Sequence, residues 1–204
     1  MEIKSVSGKT LYVSDKQTIK EALEEAVAAH ANLAYANLAD ANLAFSNLGG
    51  ANLAHANLAH ANLADANLGG ANLAYANLAD ANLAYATLGG ANLAYANLAR
   101  ANLAYANLAY AKELKGLILP TGEMWEKYLG EVVPALLQAG GKTMEQIVAS
   151  GCWRCHSWDN CPMATAFGVH GTNECPILLR PRVEQFVQLF DAQLIPEPVL
   201  AKGS

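Results

Sequence analysis

The chain of 204 residues carries a formal net charge of −5, and its length allows one large domain or two modest ones. This small acidic balance excludes the broad basic surface that nucleic-acid binding requires, so no nucleic-acid partner is predicted. The sequence has neither an apolar run of about 20 residues for a membrane span nor a basic stretch leading into an apolar signal segment. We therefore expect a soluble, cytoplasmic protein without a membrane partner.

Residues 1–30 are predicted to form a β-hairpin followed by one helix. The hairpin strands cover 2–6 and 10–13. Thr18 and Glu21 have the spacing of a capping box, and the apolar residues after them fall on one helical face. The helix should end near His30 and cover the open bottom of the repeats, where backbone groups and an apolar layer would otherwise be exposed.

Residues 31–110 repeat the five-residue motif Ala-Asn-Leu-Ala-X sixteen times, with Ser46 in place of Ala and Thr87 in place of Asn. A helix turns by about 100° per residue, so a leucine at every fifth position would form no apolar stripe. A flat strand alternates its faces with a period of two, so an odd period would place successive leucines on opposite faces. Neither regular element fits this motif.

A chain that bends by about a quarter turn after each pentapeptide directs every leucine towards one axis, and four pentapeptides then close a square coil. Leu-Gly-Gly supports a coil of 20 residues independently, since it recurs at 48–50, 68–70 and 88–90. The repeats therefore predict four coils, about 19 Å tall at a strand spacing of about 4.8 Å. The predicted core consists of Leu33, Leu38, Leu43, Leu48, Leu53, Leu58, Leu63, Leu68, Leu73, Leu78, Leu83, Leu88, Leu93, Leu98, Leu103 and Leu108.

These repeats resemble the pentapeptide repeat family, whose members form a right-handed four-sided β-helix. The resemblance implies that the central leucine and the alanine two residues before it fill the interior, while Asn and the last two residues face outward. Natural members vary more between repeats, so the regularity here indicates an engineered, consensus version. The predicted fold class is mainly β, a right-handed four-sided parallel β-helix of four coils at 31–110, with an N-terminal hairpin and helix cap at 1–30 and a C-terminal α-helical domain at 111–204.

The last residue of each repeat, read every 20 positions, defines four exterior columns. Neighbours in a column should lie about 4.8 Å apart, which permits aromatic stacking, and the asparagines should form ladders of side-chain amides. A decorated, solvated surface is the leading interpretation, and a ligand or partner face built on the tyrosines is the alternative. The columns hold Tyr35, His55, Tyr75 and Tyr95; Asp40, His60, Asp80 and Arg100; Phe45, Asp65, Tyr85 and Tyr105; and Gly50, Gly70, Gly90 and Tyr110.

Gly50, Gly70 and Gly90, each preceded by another glycine, leave one wall of the coil without side chains. One interpretation is an interface, because a flat wall accepts the close approach of a second subunit or of the chain's own tail. The other is that glycine permits a different turn geometry at these corners. A homodimer through this wall or through the C-terminal domain is the predicted form of any self-association.

The C-terminal domain is predicted to contain four helices. Thr121 is placed to cap the first helix near Glu123, and Pro134 should kink or split it. The others are a short helix opened by the Thr143 and Gln146 capping box and a short helix from Pro162 to Phe167. A last helix is predicted from Pro181, in which Val183, Phe186, Val187 and Phe190 keep helical spacing.

A cysteine cluster in this domain is the one stretch of the sequence whose side chains could bind a ligand. Buried thiols are the leading interpretation, since free cysteine packs as a small hydrophobe. A disulfide is open, and zinc is the weak alternative, because one Cys-x-x-Cys lacks a second matching pair. Haem attachment and a Cys-His nucleophile are less favoured still. No cofactor is therefore predicted; the residues of the alternative zinc site are Cys152, Cys155, His156, Cys161 and Cys175.

The sequence favours a structural or scaffold protein without catalytic activity or a small-molecule substrate. A protein-binding module is the alternative, because some members of the resembled family act on topoisomerases by imitating duplex DNA. That role needs acidic columns, and the repeats hold only Asp40, Asp65 and Asp80. A C-terminal metal-binding module is the third hypothesis.

Overall fold

The computed structural model of the chain describes residues 1–108, 111–112, 114–143, 146–147, 150, 162–168, 172–191 and 195. It divides into two compact units, Met1–Trp125 and Glu126–Ser204, which are described separately.

The first unit begins with the predicted hairpin, in which β1 (Glu2–Lys4) pairs with β2 (Thr10–Val13) in antiparallel orientation, with an irregularity between Ile3 and Lys4. Helix α1 (Ile19–Ala28) follows. Thr18 Oγ1 accepts the Glu21 backbone N–H at 3.2 Å and donates to the Glu21 carboxylate at 2.9 Å. The hairpin is confirmed, although its first strand ends at Lys4 and not at the predicted residue 6. The capping box of Thr18 and Glu21 is also confirmed.

Helix α1 ends in a Schellman motif at His30. The N–H of Ala31 donates to the carbonyl of Ala26 and that of His30 donates to Val27, both at 2.9 Å. These are the 6→1 and 5→2 bonds of the motif, in which the residue after the C-cap adopts the left-handed conformation. His30 has a φ of +54°, so a histidine occupies a position that usually holds glycine.

The hairpin and α1 supply hydrogen bonds to the first coil, which has no coil beneath it. Ser5 forms an antiparallel bridge with Ala36, and the N–H of Asn37 donates to the carbonyl of Lys4 at 2.8 Å. On another side, the Glu24 carboxylate accepts the N–H of Asn47 at 2.8 Å. Both contacts satisfy backbone groups that would otherwise be open at the end of the solenoid, as the sequence predicted for the N-terminal segment.

Successive coils pair in parallel through the asparagine position of each repeat. Bridges join residues 20 apart, from Asn32 with Asn52 to Asn92 with Lys112. Each bridge involves a single residue, so the described repeats contain no longer strand, and the predicted extended segments reduce to bridges separated by turns. The period of 20 is the one that the Leu-Gly-Gly spacing predicted.

Every corner of the coil is a tight turn with the same geometry. The alanine N–H after each corner donates to the preceding leucine carbonyl, as in Ala36 to Leu33 at 3.0 Å. The residue at the fourth position of each repeat has a negative φ, and residue X at the fifth position has a positive φ. This is the pattern of a type II turn. Twelve residues other than glycine hold this position in the described repeats, with φ between +57° and +64°. Each such residue costs roughly 1–2 kcal/mol, so the rest of the coil must impose the corner.

The interior of the coil is filled by leucine. All sixteen repeat leucines are buried, most with no exposed surface, and the alanines that pack beside them include Ala56 and Ala76. Burying one leucine side chain contributes roughly 1.5–3 kcal/mol. This gain exceeds the cost of the left-handed residue in the same repeat, which explains how the corners persist.

Asparagine ladders run along the exterior of the coil, as predicted. The Nδ2 of Asn52 donates to the Oδ1 of Asn32 at 2.8 Å, and the same bond recurs between asparagines 20 residues apart on all four sides. Most of these Oδ1 atoms also accept the N–H two residues further on, as in Ala34 to Asn32 at 3.1 Å. The side-chain amide therefore bonds both to the backbone of its own corner and to the asparagine of the neighbouring coil.

Backbone pairing continues past the last repeat. Asn97 bridges Ile118 at a separation of 21 residues, so one extra residue has entered the coil period. Ile118 also pairs with Met124 in antiparallel orientation, and the N–H of Trp125 donates to the carbonyl of Leu117 at 2.8 Å. The repeat pattern thus ends at 110, while the paired backbone extends to Trp125. The domain boundaries at 30 and 110 stay predictions.

The second unit is helical where it is described. The predicted first helix starts at Trp125 and not near Glu123. The Thr121 hydroxyl donates to the Glu123 carboxylate. Pro134 lacks an N–H, and a π-helical turn precedes it, closed by Val133 N–H to Tyr128 carbonyl. The elements are α2 (Trp125–Lys127), the π turn (Tyr128–Val132), α3 (Val133–Ala139), α4 (Pro162–Phe167), a 3-10 turn (Thr172–Glu174) and α5 (Arg180–Asp191).

Several predictions for this unit are confirmed. Thr143 and Gln146 form a reciprocal capping box, with Gln146 N–H to Thr143 Oγ1 at 3.3 Å and Thr143 N–H to Gln146 Oε1 at 2.9 Å. Helix α4 has the predicted bounds. Of the predicted apolar face of α5, Val183, Phe186 and Phe190 are buried, while Val187 is only half-buried.

Candidate functional site

The exterior of the repeats presents the four predicted columns, since bridges between residues 20 apart place the X positions above one another. We call them the aromatic column (Tyr35, His55, Tyr75, Tyr95), the charged column (Asp40, His60, Asp80, Arg100), the mixed column (Phe45, Asp65, Tyr85, Tyr105) and the glycine column (Gly50, Gly70, Gly90). Tyr110 lies outside the described residues.

The aromatic column is one continuous stack of four rings. The centroids of Tyr35 and His55 lie 4.6 Å apart, those of His55 and Tyr75 4.7 Å, and those of Tyr75 and Tyr95 4.7 Å, with interplanar angles of 4–10°. This spacing confirms the stacking predicted from the period. The coil repeat sets it, because every ring hangs from a corner of identical geometry.

Gly116 closes the upper end of the aromatic column. A Cβ atom on Gly116 would lie 2.3 Å from Cδ1 of Tyr95, and its φ is +66°. Only a residue without a side chain lets the backbone approach the ring this closely. This contact was not predicted; a glycine about 20 residues after Tyr95 was the signal for it in the sequence.

The charged column contains a bidentate ion pair. Nε and Nη2 of Arg100 each donate to one oxygen of the Asp80 carboxylate at 2.7 Å. This hydrogen bonding to Arg100, ahead of the wider electrostatic attraction, holds the pKa of Asp80 below its ordinary value. It likewise raises the pKa of Arg100. The pair predicted from the column is confirmed.

The mixed column carries the most exposed aromatic residues of the repeats. Phe45 is 69% exposed and Tyr105 is 78% exposed. Tyr85 and Tyr105 stack at a centroid distance of 4.9 Å and an interplanar angle of 13°. Asp65 separates Phe45 from this pair, so the column holds two stacked rings and one isolated ring.

The glycine column shares the corner geometry of the other three. Its φ values are +67° to +70°, and the turn bond recurs as Ala51 N–H to Leu48 carbonyl at 3.1 Å. The interpretation that glycine serves a different turn geometry is therefore wrong. A Cβ at Gly50, Gly70 or Gly90 would meet no atom within 4 Å, so this wall is open to solvent in the isolated chain.

The described surface has a depression in each of the two units. One of about 320 Å³ lies at the foot of the glycine column, lined by residues that include Val27, His30, Asn32 and Gly50. Another of about 280 Å³ in the second unit lies between Glu131, Leu136 and Arg182. Neither brings together a nucleophile, a base and an oxyanion donor.

Of the predicted cysteine cluster, Cys152, Cys155, His156 and Cys161 lie outside the described residues. Cys175 is a buried free thiol, and burial raises its pKa. Within the described part of the chain, no three His, Cys, Asp or Glu residues are close enough to hold a metal ion. The state of the other thiols stays a prediction.

Comparison with known proteins places the repeats in a family. The family model for pentapeptide repeats matches eight copies, at residues 23–58, 51–84, 61–93 and 81–112. A pentapeptide repeat protein from Nostoc Pcc 7120 is 40% identical, and the match covers 47% of this chain and 82% of that one, with a TM-score of 0.44. The chain belongs to the pentapeptide repeat family.

Two further solved structures are similar. A pentapeptide repeat protein from the cyanobacterium Cyanothece 51142 is 41% identical over 40% of this chain and 51% of that one, with a TM-score of 0.34. One from the thylakoid lumen of Arabidopsis thaliana is 31% identical over 41% of this chain and 54% of that one, with a TM-score of 0.34. The chain thus spans about half the length of each. No curated protein matches.

Membership of the pentapeptide repeat family implies a right-handed β-helix. Its proteins are generally non-catalytic structural or binding modules, and nothing in the comparisons indicates enzymatic activity. Among the helices that the structure describes, none combines the length and apolar character that crossing a lipid bilayer requires.

Proposed function

We propose that this pentapeptide repeat protein is a rigid, non-catalytic scaffold, a consensus solenoid of four right-handed coils whose shape is its function. One observation carries the proposal: the same hydrogen bonds recur at each repeat while residue X varies. Leu38 N–H donates to Asn57 carbonyl at 2.7 Å, and the equivalent bonds at Leu58 and Leu78 measure 2.7 and 2.8 Å. The geometry of the coil is thus the same from repeat to repeat, whereas the chemistry of the exterior varies.

The finer features of this proposal follow from the same regularity. Near-identical repeats support an engineered, consensus origin, and a cytoplasmic setting stays a prediction from the sequence. The contacts of Lys4 and Glu24 to the first coil support a capped lower end. A capped solenoid is protected from stacking end to end into filaments.

Deletion of whole coils tests the scaffold. Removing residues 51–70 takes out one complete period, so the remaining columns and ladders can rejoin in register. We expect a folded protein shorter by about 4.8 Å, with a lower free energy of unfolding because one layer of buried leucines is lost. Circular dichroism, urea unfolding and small-angle scattering measure these quantities.

The matched control removes residues 51–65, three pentapeptides in place of four. This deletion turns everything above it by a quarter turn, which sets Tyr75 over Asp40 and ends the coil on the wrong side. We expect it to be much less stable than the longer deletion. If the two deletions unfold alike, the coil is not the modular unit that the proposal requires. A saturable rise in melting temperature with a metal ion or nucleotide would also contradict a ligand-free scaffold.

A protein-binding module is the second candidate, favoured by the exposed rings of the mixed column. A topoisomerase-directed form of this role predicts inhibition of DNA gyrase supercoiling by the purified chain. We expect no inhibition, because the repeats offer three aspartates and one arginine where imitation of DNA needs continuous acidic columns. Dose-dependent inhibition would overturn the scaffold proposal in favour of this candidate.

The glycine column remains our proposed contact for a homodimer. Replacing Gly50, Gly70 and Gly90 with Asp adds charge without distorting the corners, because Asp40 and Asp80 already occupy the same conformation. A dimer through this wall should dissociate in the triple variant, as measured by sedimentation. The matched control introduces Asp at Tyr35, Tyr75 and Tyr95 and should leave the mass unchanged. An unchanged mass in the glycine variant removes this interface.

A further inference from the structure

Tyr85 and Tyr105 form a reactive pair that the scaffold role does not use. Their rings stack at 4.9 Å and are 57% and 78% exposed, so an oxidant in solution reaches both phenols. The backbone holds them in register, since Tyr85 N–H donates to the Ala104 carbonyl at 2.8 Å. Because the two rings stack in register, the Cε atoms beside the Tyr85 hydroxyl face the Cε atoms beside the Tyr105 hydroxyl.

We propose that Tyr85 and Tyr105 are a site of intramolecular dityrosine formation, in which a peroxidase with hydrogen peroxide joins adjacent coils by a carbon–carbon bond. Each phenol loses one electron and one proton to give a phenoxyl radical. The two radicals couple through one Cε atom of each ring, and the hydrogen on each coupled carbon moves to its phenolic oxygen. The two electrons and two protons reduce one hydrogen peroxide to two waters.

Coupling within one chain is favoured over coupling between chains. Two groups held in reactive contact have an effective concentration many orders of magnitude above that of a protein solution at micromolar concentration. The corners of the coil fix the Cα positions, so the rings stay neighbours throughout the reaction. Oxidation of dilute protein therefore yields a cross-linked monomer.

The aromatic column supplies an internal comparison, because Tyr75 and Tyr95 stack at nearly the same distance of 4.7 Å. Their rings are confined, however. His55 stacks on the other face of Tyr75, and the backbone of Gly116 lies against Tyr95. Coupling requires the two rings to tilt until their edges meet, and this confinement opposes the tilt. Tyr85 is stacked on one side only, since its neighbour below in the column is Asp65.

The experiment oxidises the full chain at micromolar concentration with a haem peroxidase and hydrogen peroxide. We expect dityrosine fluorescence in a product that remains a monomer on a denaturing gel, with a mass lower by two hydrogen atoms. Peptide mapping should join Tyr85 to Tyr105. The Tyr105→Phe variant should lose most of the fluorescence, whereas the Tyr95→Phe variant should retain it.

Three results would overturn the proposal. They are a cross-link confined to Tyr75 and Tyr95, products that are mainly covalent dimers, and fluorescence undiminished in the Tyr105→Phe variant. Circular dichroism of both phenylalanine variants checks that the coil is intact, and a ring without the hydroxyl preserves the stack. A second measurement follows the unfolding of the oxidised wild-type chain in urea. Its midpoint should exceed that of the unoxidised chain, because the dityrosine cross-link limits the separation of the two coils.

Discussion

Gly116 lies against the ring of Tyr95, so close that an added Cβ would fall 2.3 Å from Cδ1. The contact joins the last ring of the aromatic column to the non-repeating segment that follows the repeats. A methyl group added at position 116 therefore tests how strongly the aromatic column and the segment after the repeats depend on each other.

Gly116→Ala should destabilise the protein by about 2–5 kcal/mol. The left-handed backbone accounts for roughly 1–2 kcal/mol and overpacking against the ring for roughly 1–3. The matched control is Gly122→Ala, which has a φ of +88° but no atom within 4 Å of its added Cβ, and should show the backbone cost alone. Urea unfolding measures both. Equal losses would mean that Tyr95 moves aside without cost.

Ser46→Ala should stabilise the protein. Ser46 replaces the interior alanine of its repeat, and its hydroxyl is buried without a hydrogen-bond partner. An unsatisfied buried hydroxyl costs roughly 1–3 kcal/mol, so its removal should raise the free energy of unfolding by about 1 kcal/mol or more. The reverse change one coil above, Ala66→Ser, should lower it by a similar amount. A stability loss in the Ser46→Ala variant would show that the hydroxyl has a partner, such as a buried water.

His30→Gly should stabilise helix α1. The left-handed conformation of His30 costs roughly 1–2 kcal/mol. Glycine removes that cost but adds about 0.5–1 kcal/mol of backbone entropy in the unfolded chain, which leaves a net gain of about 0.5–1 kcal/mol. Thermal melts should place the variant above the wild type. As a control, Ala28→Gly changes a residue with helical dihedrals and should lower the melting temperature.

The ion pair of Asp80 and Arg100 should make a small, acid-sensitive contribution to stability. The pKa of Asp80 is lowered in the folded chain, so its contribution is complete above the unfolded pKa near 3.8 and is lost as the pH falls towards the folded value. NMR titration of the Asp80 carboxyl should show the lowered pKa. In the Arg100→Gln variant it should return towards the ordinary value. An unchanged titration curve in that variant would show that the bidentate geometry does not persist in solution.

Much of this architecture followed from the sequence because a repeat converts spacing into geometry. A period of 5 within a period of 20 directs Leu63 towards the common axis and places Tyr75 in its column by counting. The outward position of Asn62 followed from the resemblance to the family. The stacking distances then follow from the coil spacing, as does the pairing of Asp80 with Arg100. The capping box at Thr18 was equally predictable, because it depends on residues three apart.

Other features were decided only by the tertiary structure. Local preference argues against a left-handed tyrosine or phenylalanine, yet Tyr35 and Phe45 adopt that conformation, because closing the coil buries a leucine in every repeat and this gain exceeds the strain. The contacts of Gly116 with Tyr95 and of Glu24 with Asn47 join a repeat to a segment outside it, where no period applies. What the sequence determined by itself was the coil and the membership of its columns; how the ends are closed, and which rings are confined or free to react, depended on contacts between segments distant in the chain.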